Sequence, residues 1–170
     1  MRLAPIAIFY SPNVEQLLKY SAESSRTTHA AAECLDACCY FASLLHIAFS
    51  GENKEGLLHS TLYKPETEKV KAIAAGEYLS KDAPQIKGSG YVIDCLEAAL
   101  WCFATTDTFE AAILKAANLG DDADTTAAVC GQIAGAYYGE SGIKKEWLDK
   151  LFMRDEITTL VKDLKNFSVS

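Results

Sequence analysis

Apolar residues recur at the i, i+3, i+4, i+7 spacing of a half-buried helix along nearly the whole chain, and no stretch shows convincing strand alternation. Ser11-Pro12 reads as an N-cap and first-turn pair, opening a short helix through Val14, Leu17, Leu18 and Ala22. Thr28 is placed to cap a second helix, which carries Ala31, Cys34, Leu35, Cys38, Ala42, Leu45 and Ala48 and stops at Gly51. Residues 51–65 read as a connection closed by Pro65, and a more polar helix follows from Glu66 to Leu79. Lys81 to Gly90 holds Pro84, Gly88 and Gly90 and reads as a loop. Next come an apolar helix through Val92, Cys95, Leu96, Ala99, Leu100 and Phe103, and another from Phe109 to Asn118 that ends at Gly120. A helix from Thr125 to Tyr138 is closed by Gly139, and two more are predicted around Lys144–Met153 and Asp155–Asn166. The pattern predicts an all-α domain of about eight helices over residues 1–170, without repeat or linker.

The Thr125–Tyr138 helix places Gly131 and Gly135 four apart on one face. Glycine there costs about 1 kcal/mol relative to alanine. A face of small residues is expected to permit close backbone approach, with this helix at the centre of the bundle. The longest uncharged run, Thr125 to Gly139, is too short for a membrane span and contains three glycines. The start of the chain imitates a signal peptide only faintly, because Pro5 interrupts the apolar run and no small-residue cleavage site follows.

Charge narrows the partners. Lys and Arg number 16 against 23 Asp and Glu, a net charge of −7 that repels a phosphate backbone and an anionic lipid surface. Neither nucleic acid nor membrane is expected as a partner. Six cysteines, none in a CxxC pair or a Cys/His cluster, fall inside the helical patterns. They read as small buried hydrophobes in a reducing, cytoplasmic setting rather than as disulfides or zinc ligands.

The densest chemistry lies in Asp121-Asp122-Ala123-Asp124-Thr125-Thr126. Three carboxylates in four residues need positive charge nearby. The free N–H groups of the following helix could supply it, and so could a hard divalent cation bound through carboxylate and hydroxyl oxygens. Asp122 and Asp124 converge on one ion only if the loop stays extended as far as Asp124. A second signal is Gly88-Ser89-Gly90-Tyr91-Val92 before an apolar helix, either an anion-binding loop or a structural turn. Thr28-His29 marks a helix start, and His29 alone reads as an ordinary polar residue.

Leu119 to Ala128, running into Gly131-Gln132-Ile133-Ala134-Gly135-Ala136-Tyr137-Tyr138-Gly139, closely resembles the C-terminal signature of the ADP-ribosylglycohydrolase family. Met1 to Ala7, Thr28-His29, Gly88 to Val92 and Ala98 to Trp101 agree in order and spacing. The resemblance implies a compact orthogonal multi-helix bundle that hydrolyses the bond from C1 of the distal ribose of ADP-ribose to an acceptor. It implies a two-magnesium centre, with manganese possible, in which Asp122, Asp124 and Thr125 are ligands, and Asp121 stands where a glycine is usual. It also implies that Gly88, Gly90 and Tyr91 approach the ADP-ribose, with Tyr91 a stacking surface, and that His29 borders the cleft.

The resemblance matches only the C-terminal half of the family. The Thr-Asp-Asp element that completes the metal centre occurs nowhere in this sequence. The expected catalytic base belongs to that half as well, so no catalytic residue is assigned here. Exposed apolar surface is expected, together with self-association or a companion chain. Three functions follow: hydrolysis of ADP-ribosyl linkages with a partner chain, a non-catalytic module for ADP-ribose or a divalent ion, and an inactive remnant. The acceptor linked to ADP-ribose is not encoded in any of these motifs.

Overall fold

Two strongly apolar helices set the architecture, because neither has a polar face wide enough to lie on a surface. In the computed structural model, which describes residues 1–168, these are α3 (Ala32–Phe49) and α6 (Val92–Ala104). Ten of the 18 residues of α3 and nine of the 13 of α6 are buried. By length and composition α3 could cross a bilayer, but here it is a core helix that carries the buried Asp36. Ahead of it run α1 (Ala4–Tyr10) and α2 (Val14–Arg26), and after it come α4 (Lys54–Leu58) and α5 (Glu68–Ala74). Beyond α6 the chain forms α7 (Phe109–Ala117), α8 (Ala123–Tyr138), α9 (Lys145–Leu148) and α10 (Arg154–Asn166). Among the described residues there is no strand. α2 lies along α3, while α8 packs against α3, α6 and α7. One continuous core runs from Leu3 and Ala7 through Tyr40, Leu44, Leu100 and Phe103 to Ile133.

Among the described residues there are ten α-helices against the expected eight or so, and the two additions have simple causes. Pro5 does not interrupt the first apolar run. It occupies the first turn of α1, where its missing N–H costs nothing and its fixed φ suits the helix. Ser11 therefore ends α1, and α2 is capped by Asn13, whose side chain accepts from Gln16 N–H at 3.1 Å. Within 51–65, Asn53 caps the five-residue α4 by accepting from Gly56 N–H at 2.9 Å.

Three boundaries also move. Thr28 does not cap α3, which begins after Ala31 without a side-chain cap; the Thr28 hydroxyl is engaged by Arg2 and His29 instead. The helix expected over 66–79 is shortened at both ends. Its first backbone donors, Glu66 and Thr67 N–H, bond to the Asp36 carboxylate at 2.7–3.1 Å, and Gly76 at φ +75° breaks it before a 3-10 turn, Glu77–Ser80. The helix expected over 144–153 is the single turn α9, and Met153, at φ +58°, separates it from α10.

The Gly131/Gly135 helix packs against α3, α6 and α7, but its glycines are not what permits the approach. A Cβ on Gly131 would lie 3.5 Å from Ile113 Cδ1, and one on Gly135 3.8 Å from Phe109 Cε2, both ordinary contact distances. The approach of α8 to α7 thus does not depend on glycine. Expected exposed apolar surface is present at the other end. α10 has no buried residue and packs mainly against α1, and Phe152, Leu160 and Phe167 are exposed.

Two polar side chains anchor this frame. Asp36, only 5% exposed, also accepts from Tyr63 Oη at 2.8 Å and Thr67 Oγ1 at 2.5 Å. Burial alone would raise its pKa; the bonds from Thr67, Glu66 and Tyr63 outweigh that and hold the carboxyl below the usual range. Lys54 donates to Phe103 O at 3.1 Å, Thr106 O at 2.5 Å and Tyr138 Oη at 2.8 Å, joining α4 to the negative end of α6 and to α8.

Candidate functional site

Gly88 and Gly120 bring two loops together that lie far apart in sequence. Asp122 N–H donates to Gly88 O at 2.8 Å, and a Cβ on Gly88 would stand 2.9 Å from Gly120 O. Only glycine permits that approach. Gly120 and Asp121 both have positive φ, +77° and +57°, which turns the chain sharply into α8. A glycine at 121 would adopt this conformation without strain, so Asp121 carries a modest backbone cost there.

The turn decides what Asp122 can do. Asp122 is the N-cap residue of α8, yet its side chain makes no capping hydrogen bond. Its Oδ2 instead lies 3.0 Å from where a Cβ of Gly90 would be, so the missing side chain at 90 makes room for the carboxylate. Thr125, three residues on, shares that face of the helix. α8 begins at Ala123, so the chain is not extended as far as Asp124, the condition for Asp122 and Asp124 to converge on one ion. Thr126 points the other way into the core, fully buried, with Oγ1 4.0 Å from Cys95 Sγ.

Asp122 and Thr125 form part of the wall of a cavity of about 450 Å³. Gly90, Tyr91 and His29 line it too; Gly88 and Asp124 do not. Its apolar floor includes Leu3, Phe41, Leu96 and Val129, contributed by opposite ends of the sequence. His29 stands at the rim, its Nδ1 2.9 Å from Thr28 Oγ1. Cys34, Cys38 and Cys95 reach the cavity as well, and burial pushes the Cys38 and Cys95 thiols up, keeping them protonated. All six cysteines are free thiols.

Three charged residues that motif reading missed shape the rim. Arg2 Nη2 donates to Ser24 O at 3.1 Å, Thr27 Oγ1 at 2.7 Å and Thr28 Oγ1 at 3.0 Å, fastening the turn that carries His29. Glu33 of α3 and Lys69 of α5 meet each other at 3.1 Å and both bond to the Tyr91 hydroxyl. No local motif marks these partners, which are 22 to 58 residues apart.

Asp122 and Thr125 bring hard oxygen donors to the cavity, one carboxylate and one hydroxyl, of the kind magnesium selects. Among the described residues, no group of three or more His, Cys, Asp and Glu side chains is arranged to hold a metal ion. The residues present suit one ion held partly by water, and fall short of the ligands a two-metal centre needs.

Comparison with known proteins agrees with this topology. The ADP-ribosylglycohydrolase family model matches residues 1–169. An ADP-ribosylarginine hydrolase, Tri1, of Serratia proteamaculans (strain 568) is 44% identical over 96% of this chain, and one of Pseudomonas putida (strain GB-1) is 43% identical over the same share. The chain spans 44% of the length of each. The ADP-ribosyl-[dinitrogen reductase] glycohydrolase of Rhodospirillum rubrum is 41% identical over 41% of the chain. A solved structure described as an ADP-ribosylglycohydrolase-related protein complex superposes with a TM-score of 0.89 at 40% identity, covering 99% of this chain and 59% of that one. The docked glycine and aspartate loops thus sit in an all-helical scaffold shared with these proteins, and the chain belongs to the ADP-ribosylglycohydrolase family.

Proposed function

We propose that this chain forms one wall of a magnesium-dependent centre that hydrolyses ADP-ribosyl linkages, and that a second polypeptide segment supplies the remaining ligands and the base. The observation that carries this reading is the Asp122 carboxylate, free of its capping role and lodged against Gly90 at the cavity wall beside Thr125. In this role Asp122 and Thr125 contribute oxygen ligands from the cavity wall, Asp124 stays outside it, and water and a Thr-Asp-Asp segment from elsewhere complete the coordination. A bound divalent ion supplies Lewis-acid polarisation and lowers the pKa of a coordinated water. The apolar floor excludes bulk water from the ribose, Gly90 leaves room for the Asp122 carboxylate beside the sugar, and Tyr91 offers a ring to the adenosine end. His29 borders the same space. Manganese fits the same oxygen donors. Arginine-linked ADP-ribose is the first substrate to test, given the names of the two relatives matched along most of this chain. Six free thiols support a reducing, cytoplasmic address.

The test is release of ADP-ribose from an ADP-ribosylated arginine peptide, by the chain alone and after mixing with a polypeptide carrying the Thr-Asp-Asp element. Turnover that needs both chains and Mg²⁺, and is abolished by EDTA and by Asp122→Asn, is the expected result. Stabilisation by millimolar Mg²⁺ and ADP-ribose without turnover in the mixture supports the binding-module alternative. No thermal shift and no turnover would leave only the inactive remnant.

A further inference from the structure

Tyr91 is held from two sides before any ligand arrives. Its backbone N–H donates to Ser89 Oγ at 3.2 Å, and Ser89 in turn donates to Asp94 Oδ2 at 2.8 Å within the first turn of α6. At the far end of the ring, the hydroxyl donates to Glu33 Oε2 and accepts from Lys69 Nζ at 2.7 Å. Lys69 and Glu33 close the triangle at 3.1 Å. The two ends of the aromatic side chain are therefore fixed by α6 on one side and by α3 and α5 on the other. The bond from Tyr91 and the ammonium of Lys69 draw the Glu33 carboxyl below its usual range, and Tyr91 and Glu33 in turn raise Lys69. Both remain charged around neutral pH, as the triangle requires.

The ring is not covered by its anchors. Lys69 Nζ is 5.0 Å from the ring centroid, about the separation that a hydrogen bond at the hydroxyl edge imposes, so the lysine sits at the edge and not over a face. Tyr91 is 40% exposed and lines the cavity.

We infer that Glu33 and Lys69 are positioning residues that hold Tyr91 as a preset wall of the ADP-ribose site. The inference rests on the ADP-ribose reading of the cavity and adds to it two residues outside the glycine and aspartate loops. A side chain immobilised in advance loses no rotamer freedom on binding. Releasing it should weaken affinity by about three- to tenfold, since ordering one such side chain costs about 0.5–1.5 kcal/mol.

The experiment measures ADP-ribose affinity of the full chain in millimolar Mg²⁺ by ligand-observed NMR titration, alongside the thermal midpoint without ligand. Glu33→Gln, Lys69→Met and Tyr91→Phe should each weaken binding by that factor. Because the pair is about half-exposed, the unliganded midpoint should stay within about 2 °C of the parent. The double variant Glu33→Gln/Tyr91→Phe should bind no more weakly than the worse single one, because both changes release the same ring. Tyr91→Ala, which removes the wall itself, should bind more weakly than Tyr91→Phe. Parent binding with unchanged affinity in all three single variants overturns the positioning role alone. Additive losses in the double variant also overturn it. Absence of binding by the parent chain overturns the ADP-ribose reading and this one together.

Discussion

Gly88→Ala and Gly131→Ala make the same chemical change at two differently packed positions, and the structure predicts opposite signs. At 88 the new methyl would meet Gly120 O at 2.9 Å and Leu119 Cβ at 3.3 Å, and the nearer obstacle is a backbone carbonyl in a turn already committed to positive φ. The loops must separate, and that weakens the 2.8 Å bond from Asp122 N–H to Gly88 O. Overpacking of this kind costs about 1–3 kcal/mol and the lost hydrogen bond about 0.5–1.5 kcal/mol, so about 2–4 kcal/mol in total. For a chain of this length that lowers the thermal midpoint by roughly 6–12 °C. At 131 the methyl would find Ile113 Cδ1 at 3.5 Å, an ordinary contact, inside a helix that favours alanine over glycine by about 1 kcal/mol. Gly131→Ala should raise the midpoint by roughly 2–4 °C. Circular dichroism at 222 nm during heating reads both values. A Gly88→Ala midpoint within about 2 °C of the parent, or a lower one for Gly131→Ala, would refute the packing argument.

Asp36→Asn should cost about 1.5–3 kcal/mol at pH 7 by urea unfolding, since it removes the charge from bonds to Thr67, Glu66 and Tyr63. Because the folded Asp36 pKa is depressed, its contribution is complete above the ordinary aspartate range and is lost as pH falls through it. The parent should therefore lose more stability than Asp36→Asn between pH 5 and pH 3, and equal losses would count against a charged Asp36. Asp121→Gly should stabilise the chain by up to about 1 kcal/mol in the same titration, by relieving φ +57°. A thiol reagent at pH 8 should modify Cys34 well before Cys102 and Cys130, which burial pushes up to about 11 and about 12, and urea should level the rates.

The long helices were legible because their apolar spacing is a local property. The turns around Gly51, Gly120 and Gly139 were legible because each glycine adopts the positive φ that stops a helix. Hydrogen bonds from distant residues were not. Asp36 takes the Glu66 and Thr67 N–H groups just ahead of α5 from 30 and 31 residues away, a partnership no window of sequence displays. Pro5 misled for the opposite reason, since the same residue interrupts a helix from within and begins one from its first turn. At the site, Asp122, Thr125, Gly90, Tyr91 and His29 converge on one cavity wall. The absence of a side-chain cap from Asp122 could be learned only from the fold, because capping and ligand binding demand the same residue type.

Gln132 of α8 holds both polar groups at the start of the chain, donating to Met1 O at 2.5 Å and accepting from Ala4 N–H at 2.8 Å. These bonds span 131 and 128 residues. The helices themselves form from local contacts on fast timescales, but this closure waits for a loop of nearly the whole chain and bears its entropy. Leu3 and Val129, near the two ends of this closure, both line the cavity. The expected order of folding is helical secondary structure first and the cavity last. Stopped-flow refolding should show the α-helical signal returning ahead of ligand competence, with Gln132→Ala slowing only the later phase.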